Sequence, residues 1–577
     1  MKKFFEKHTV AKLIGIFLFL TIVLTWIIPY SGFQGSTLVE GEKYHIGFND
    51  LGTIFSSSLN FVIDKVIFIL ALGGFYAIIT KTSGYNKLVS KIVEKIKGVE
   101  IIFAVVVSVI LTLITSVFSQ PFAVLLFVPF ILSILLNSGI RKIDAFAATF
   151  GAIIVGILGV LFSNEGLVIF DTYFSSGTTG KTGAELTLGY RAIILGISLV
   201  LYNFMLVRSI LTNKNSKKNT KNNDDIKGYE IASYNDKKTK VLPTAIILIL
   251  LSGITILGFV DWSGMFKLNA FKDFHTWLTG LKIGKDFTIF KYILGNTASA
   301  FGTWNLLTLS IILLIISLIV TFMNRISFDD LFSSIGEGIT KVLKSAGVIV
   351  AVYMVFITTY MSGIVPKIAD TFLKGNGQPT LNIDYNGAGV AIFNVDINDD
   401  NKADVNLINQ DSNKDGKCDL NCDTNSDGFP DELLDFNYDG KSDDDDALIQ
   451  TQLTGKSILN YDSDSDGVAD VNLSSHFSLA KAVVGATVTS IFNTDFGYTG
   501  YTLGTYLSSS YSSHISLIFV VFIAIYGLLQ FFIPTSAMLM FGLTYADITY
   551  KEWMKYIWRF VLATLCVLLI MFIFMII

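Results

Sequence analysis

Residues 115–122 read Thr115-Ser116-Val117-Phe118-Ser119-Gln120-Pro121-Phe122, and residues 489–496 read Thr489-Ser490-Ile491-Phe492-Asn493-Thr494-Asp495-Phe496. The two stretches agree at four of eight positions, and each interrupts an apolar run with polar residues. A break in hydrocarbon leaves backbone N–H and C=O groups that cost several kcal/mol each when unpaired, so it is tolerated only where it is buried in protein or faces water. Working outward, each stretch is followed by a span that itself breaks: 145–162 into Ser163-Asn164-Glu165-Gly166, and 515–533 into Pro534-Thr535-Ser536-Ala537. The separations are alike, 46 residues from Phe118 to Asn164 and 43 from Phe492 to Thr535.

The composition fixes the solvent. Of 577 residues, 52% are hydrophobic and 16% charged, against roughly 25% charged in ordinary soluble proteins; the mean hydropathy is +0.58. The uncharged runs Leu13–Pro29, Ile101–Val117, Val241–Val260 and Val561–Ile577 approach the ~20 residues needed to cross a bilayer. Three cysteines, eight prolines and a net charge of −4 exclude a disulfide-built scaffold, a Pro-rich chain and a broadly nucleic-acid-binding protein.

Loop charge sets an expected topology. Lys2, Lys3, Lys7 and Lys12 precede the first apolar run. That run, at ~17 residues, exceeds a typical signal-peptide core and has no small-x-small cleavage site after it, so a retained helix with a cytoplasmic N-terminus is expected. Lys81 to Lys97, then Arg141 and Lys142, then nine cations from Arg208 to Lys240 mark inside loops; the loop at 261–303 runs against the rule with five lysines. Parity then makes 101–136 enter and leave on the same side, as either two short spans or a re-entrant hairpin, and puts the base of a second such hairpin, 479–507, outside. Repeat one comprises spans 12–29 and 61–80, a hairpin, then 145–170 and 190–208; repeat two comprises 304–323 and 345–363, a hairpin, then 515–540 and 556–577, and corresponding elements run in opposite directions. The expected fold is an all-α polytopic membrane protein of nine full spans and two re-entrant hairpins, with inverted repeats and broken helices, the pattern of a secondary transporter. The expected organisation is 1–210 (first repeat), 211–240 (basic cytoplasmic linker), 241–303 (linking span and external loop), 304–365 and 477–577 (second repeat), with 366–476 inserted between the last two.

The C-terminal stretch Ile533-Pro534-Thr535-Ser536-Ala537-Met538-Leu539-Met540, followed by Asp547 and Trp553, resembles the YfcC-type branch of the C4-dicarboxylate anaerobic carrier family, within the ion transporter superfamily. The opening from His8-Thr9-Val10 to Trp26-Ile27-Ile28-Pro29 is similar to its first span. The resemblance covers the membrane part and not the insert. It implies a bacterial plasma-membrane carrier with two hairpins moving in an elevator-like manner, substrates that are carboxylates or amino acids, and, by analogy only, a homodimer. In that branch the first hairpin carries an acidic Gly-Glu-Glu-type tip; here it is Phe118-Ser119-Gln120-Pro121, so no coupling carboxylate is implied there.

Ser119, Gln120, Asn164, Asn493, Thr494, Thr535 and Ser536 are the candidate substrate ligands, offering hydroxyls and amides to a carboxylate beside helix N-termini. Each has a plainer role available, satisfying backbone groups freed at a break. Glu165 and Asp495 are the candidates for coupling to Na+ or H+, because intramembrane acids are rare unless functional. Asp64, beside Lys65, falls only a few residues into its expected span, where an interfacial position competes with a functional one. Ser175-Ser176-Gly177-Thr178-Thr179-Gly180-Lys181-Thr182 mimics a phosphate-binding loop but has Ser175 in place of the first Gly. No metalloprotease motif, nucleophile elbow or Cys-x-x-Cys argues for an enzyme.

The insert 366–476 holds 23 of the 47 acidic residues and 7 of the 43 basic ones, a net of −16. It repeats Asp-x-(Asp/Asn)-x-Asp-(Gly/Asn)-x-x-Asp five times. The expected Ca2+ ligands are Asp396, Asn398, Asp400 and Asp404; Asp411, Asn413, Asp415 and Asp419; Asp423, Asn425, Asp427 and Asp431; Asp435, Asn437, Asp439 and Asp443; and Asp462, Asp464, Asp466 and Asp470. Oxygen ligands at positions 1, 3, 5 and 9, with Gly at position 6 in four copies, suit a hard cation. The loops resemble thrombospondin type 3 and dockerin-like repeats; they depart from an EF-hand at position 12, where only the Asp435 loop offers an acid, Asp446, so a weak affinity of about 10⁻⁴–10⁻³ M is expected, topology puts the module outside, and Cys418 and Cys422 are placed to form a disulfide if it is. Two rival classes remain: a calcium-dependent surface or sensor protein with a polytopic anchor, against which stand nine spans where one suffices, and an intramembrane lipid or glycan enzyme, against which stands the missing catalytic constellation.

Overall fold

The computed structural model describes residues 9–34, 37–41, 44–162, 164–174, 181–215, 228–236, 238–283, 287–373, 380–385, 391–396, 405–406, 416–419, 422, 478–510 and 514–576. Its first half runs α1 (Thr9–Ile27), α2 (Asp50–Ile79), α3 (Ser83–Lys95), α4 (Glu100–Val117), a 3-10 turn (Pro121–Leu126) leading into α5 (Val128–Asn137), α6 (Lys142–Phe146), a π-helical turn (Ala147–Gly151), α7 (Ala152–Leu158), α8 (Glu165–Tyr173) and α9 (Gly183–Asn215). A linking helix α10 (Leu242–Phe259) and the short α11 (Trp262–Phe266), α12 (Ala270–Gly280) and α13 (Ile289–Leu294) follow. The second half runs α14 (Leu306–Asn324), α15 (Phe328–Ser362), α16 (Ile364–Leu373), α17 (Leu479–Phe492), α18 (Phe496–Ser510), α19 (Ile515–Leu529), α20 (Ala537–Tyr545) and α21 (Tyr550–Ile576). The order of elements is the same in both halves: two long helices, a short amphipathic one, a helix–break–helix pair, a broken helix, and a last long helix.

Among the described residues eight helices are long and apolar enough to cross a membrane, and the chain is an all-α polytopic membrane protein. Seven of the eight are expected unbroken spans; the eighth is α4, the 18-residue first arm of the first hairpin. The two broken helices, α6 to α8 and α19 to α20, cover the remaining expected spans, 145–170 and 515–540.

Two boundaries differ from expectation by more than ten residues. The second span, expected at 61–80, begins at Asp50 and is 30 residues long, which puts Asp64 and Lys65 halfway along it rather than near its end. Its polar stretch Ser56-Ser57-Ser58 does not stop the helix because Ser58 Oγ donates to the Ile54 carbonyl one turn back, at 2.6 Å. The span expected at 345–363 begins at Phe328, with Ser327 capping the Asp330 N–H (3.1 Å), and ends on Gly363 in the left-handed region at φ 60°. Its charged first turns, carrying Asp329, Asp330 and Glu337, hid it from a hydropathy scan.

The halves pack crosswise. α2 lies along α15, α14 packs on α2, and α1 packs on α15, so each half's first helix meets the other half's second. The α2–α15 crossing is closed by glycine: a Cβ on Gly73 would sit 2.7 Å from the Gly338 carbonyl oxygen, and one on Gly338 would sit 2.3 Å from that of Gly73. Around this frame, α4 packs on α7 and, equivalently, α17 on α19, while α18 packs on α8.

Residues 228–236 form a strap from the basic linker across α3, α5 and α15. Asn137 donates to the Tyr229 carbonyl (2.8 Å), the Ala232 N–H donates to Asn86 (2.8 Å), and Lys341 donates to the Gly228 carbonyl (3.2 Å) while lying over the Tyr229 ring. At the end of the strap, Lys87 pairs with Asp236 at 2.8 Å and holds that exposed carboxyl below its usual range. A cavity of about 300 Å³ lies beneath, lined by Tyr76, Tyr85, Lys81 and Glu337 among others.

The insert occupies the link between α16 and α17, where the first half passes from α3 to α4 through residues 96–99. Its described residues include a three-stranded antiparallel sheet of β5 (Thr380–Tyr385), β6 (Ala391–Asp396) and β7 (Val405–Asn406) in that order, where these labels follow two short hairpins, β1 (Ser31–Gln34) with β2 (Thr37–Glu40) and β3 (Lys282–Ile283) with β4 (Phe287–Thr288). Cys418 and Cys422 form a disulfide. Gly416, the sixth residue of the second acidic loop, has φ 82°, a conformation that favours glycine. Apart from Asp396, which ends β6, and Asp419, the expected Ca2+ ligands lie outside the described residues, as do Ser163 and residues 175–180 of the phosphate-loop mimic.

Candidate substrate cavity

Both hairpin tips and both helix breaks meet at one cavity of about 420 Å³. The first tip brings Gln120, the first break Asn164 and Glu165, the second tip Thr494 and Asp495, and the start of α20 Ala537 and Met538. α2 contributes Asn60, Phe61, Asp64 and Lys65, α15 contributes Tyr353, and the α19 end contributes Tyr526 and Gln530. Phe61 packs on Tyr353 (5.5 Å between ring centroids) and edge-on against Tyr498 (5.0 Å), forming an aromatic wall.

The breaks are stitched to one another through the backbone. The Ser119 N–H donates to the Phe259 carbonyl at the end of α10 (3.0 Å), the Leu161 N–H to the Ser116 carbonyl (2.9 Å), and the Glu165 N–H to the Ser119 carbonyl (2.7 Å). Arg191, fully buried on α9, donates to the carbonyls of Val160 and Leu161, the latter at 3.1 Å, just past the end of α7. A cation there satisfies orphan carbonyls and opposes the negative end of the helix dipole. In the second half, Thr535 Oγ1 donates to the Ile491 carbonyl (2.6 Å) and the Tyr526 hydroxyl to the Thr494 carbonyl (2.8 Å).

These bonds sort the polar residues singled out in the sequence. Asn164 caps α8, accepting from the Gly166 N–H at 2.9 Å, and Ser536 caps α20, accepting from the Leu539 N–H at 3.3 Å. Asn493, in the amide orientation that satisfies both of its ends, donates to the Asp495 carbonyl at 2.7 Å and accepts from the Thr499 N–H at 3.2 Å. With Thr535, these four each hydrogen-bond the backbone, and Asn493 also meets the Thr499 hydroxyl. Ser119 Oγ, Gln120 Oε1 and Thr494 Oγ1 are buried without a hydrogen-bond partner. Gln120, Asn164, Glu165, Thr494 and Asp495 line the cavity, whereas Ser119, Asn493, Thr535 and Ser536 stand behind it.

The charged lining is Asp64, Lys65, Glu165 and Asp495. Lys65 Nζ lies 3.6 Å from Asp64 and 5.8 Å from the centre of the Tyr353 ring; Gln120 Nε2 donates to Glu165 at 3.1 Å, and Asp495 accepts from the Gly497 N–H at 3.1 Å. Lys65, Tyr353 and Gln530 were not singled out as site residues from the sequence. The signal for Lys65 was present, an ionisable residue in an apolar run, but it was masked by the boundary that placed it near a membrane surface.

A polytopic helical protein whose two halves each send a broken segment to one polar cavity has the architecture of a membrane carrier. The chain belongs to the C4-dicarboxylate anaerobic carrier (DcuC) family, whose model matches residues 7–379, and members of that family are transporters rather than enzymes. No curated protein and no solved structure matches the chain. The matched residues include the first span and Asp64, Lys65, Gln120 and Glu165; Thr494, Asp495, Gln530 and the 533–540 stretch lie beyond them.

Proposed function

We propose that the protein is a secondary active carrier that moves a small carboxylate-bearing solute across the plasma membrane, driven by Na+ or H+. The observation that carries this is the meeting of both tips and both breaks at the 420 Å³ cavity: one solute there touches both halves, so its binding is coupled to their relative position. Gln120 and Thr494 contact the substrate, while Asn164, Asn493, Thr535 and Ser536 hold the broken backbone in place. Glu165 and Asp495 take the coupling cation. The two halves act as inverted repeats with re-entrant hairpins, and the N-terminus is cytoplasmic.

The same topology puts the insert outside. Its Cys418–Cys422 disulfide supports that side, since disulfides persist in oxidising compartments, and the left-handed Gly416 supports a calcium-loop turn. Ca2+ then folds a weak-affinity external module that serves as a surface spacer.

Purified full-length protein in liposomes tests the reading by uptake of labelled carboxylates and amino acids under imposed Na+ or H+ gradients, with and without external Ca2+. Gradient-driven uptake that falls at least tenfold in Thr494→Ala is the expected result. Folded protein that moves no such solute under either gradient overturns the proposal.

A further inference from the structure

The loop at 261–303, whose five lysines run against the charge rule, is also apolar surface that the fold leaves uncovered. It joins the same-side ends of two spans, α10 and α14, and is tied down at both: the Gly258 carbonyl accepts from the Gly302 and Trp304 N–H groups, each at 3.1 Å. The indoles of Trp262 and Trp304 stand at these span ends, donating to the Leu257 (2.8 Å) and Ser299 (3.1 Å) carbonyls, in the place where tryptophan marks a membrane–water boundary. Phe271 packs on Trp262 and Phe301, at 5.4 and 6.0 Å between ring centroids, which holds the start of α12 to the same base. None of the described residues from 261 to 303 is buried, and Phe266, Phe274, Trp277, Ile283, Tyr292 and Ile293 are among the large apolar side chains left exposed. A cluster of this kind marks a surface that meets another apolar phase. α12 is two-sided: Ala270, Phe271, Phe274, Trp277 and Leu278 fall on one face at helical spacing, and Lys272 and Thr276 on the opposite one.

Lys267, Lys272, Lys282 and Lys291 are exposed, and none of them makes a salt bridge among the described residues. Against Asp261 and Asp273 they leave the described part of the segment at a net charge of +2. From this we infer that residues 261–303 dock on the bilayer, in the leaflet opposite the basic loops. The rings and aliphatic side chains of α11 to α13 enter the headgroup boundary, and the lysines hold the headgroups of anionic phospholipids, as in interfacial helices with aromatics on one face and lysine on the other. The uncovered surface is continuous with the lipid-facing sides of α10 and α14, where Ile249 and Ile311 are exposed. A two-fold contact with a second copy would instead set the same patch, with its four lysines, against itself. The docking needs only that α10 and α14 cross the membrane, and it stands whatever solute the carrier moves.

The test follows Trp277 in the full-length protein, held in nanodiscs of phosphatidylcholine. The emission of wild type minus that of Trp277→Phe isolates this indole. Replacing a small fraction of the lipid by phosphatidylglycerol brominated near the headgroup end of its chains should quench it at least threefold more than the same fraction of brominated phosphatidylcholine. Lys267→Gln, Lys272→Gln, Lys282→Gln and Lys291→Gln together should make the two lipids equal, and so should high salt with the wild-type protein, because it screens exposed charges. Equal quenching by both lipids in wild type, or a preference that survives both changes, overturns the assignment of anionic headgroups to the lysines. Quenching by aqueous iodide and by neither lipid places the segment in water, and shielding from iodide and lipid alike places a protein surface, such as a second copy, over it; either result overturns the docking.

Discussion

Thr494 and Thr535 are both buried threonines at helix breaks, yet they differ in what they touch. Thr535 Oγ1 is tied to the Ile491 carbonyl, while Thr494 lines the cavity and its Oγ1 is buried without a partner. Thr535→Ala strands a buried acceptor and should lower unfolding stability by about 1–3 kcal/mol; Thr494→Ala should leave the unfolding midpoint nearly unchanged while weakening substrate binding. Equal losses of stability in both variants would contradict this division. Arg191→Ala should likewise cost about 1–3 kcal/mol by leaving the Val160 and Leu161 carbonyls unpaired, and Arg191→Lys should recover only part of it, because an ammonium lacks the fork of donors that reaches several carbonyls at once; thermal unfolding in detergent checks both. Gln120, Asn164, Glu165, Thr494 and Asp495 are legible in the sequence because a polar residue inside an apolar run stands out locally. Whether each faces substrate or backbone is not legible, since that depends on which carbonyl another segment presents. Arg191 is visible as an ion in a span, but its partners lie 30 and 31 residues back in the chain.

At the scale of elements, the interruptions and the order of spans can be read directly, because hydropathy changes sharply at Ser119-Gln120-Pro121 and Asn493-Thr494-Asp495. The starts of α2 and α15 are obscured by Ser56-Ser57-Ser58 and by Asp329, Asp330 and Glu337, residues that a helix accommodates by back-bonding and capping but that a hydropathy scan counts as loop. The strap 228–236 is invisible to any such scan, for it has no regular structure and is held by side chains of three separate helices. Its ties to Asn86, Asn137 and Lys341 predict that Lys341→Ala combined with Asn86→Ala releases it. Limited proteolysis of the linker in purified protein should then run several times faster than in wild type, and an unchanged rate would show that the ties do not hold the segment.

For the whole molecule, the decisive contact is the crossing of α2 and α15 at Gly73 and Gly338, where each half leans on the backbone of the other. Gly338→Ala places a methyl group 2.3 Å from a carbonyl oxygen, and overpacking of this kind costs about 1–3 kcal/mol; the variant should unfold at lower temperature than Ala substitutions at Gly336 or Gly347, which meet nothing within 4 Å. The same crossing bears on how the protein responds to cold. Helices in lipid are drawn together by close packing rather than by release of water, and it is the water-driven contribution that fades on cooling. A joint made of two glycines and two carbonyls should keep its grip near freezing, so that chilling slows the carrier's traffic without loosening its frame.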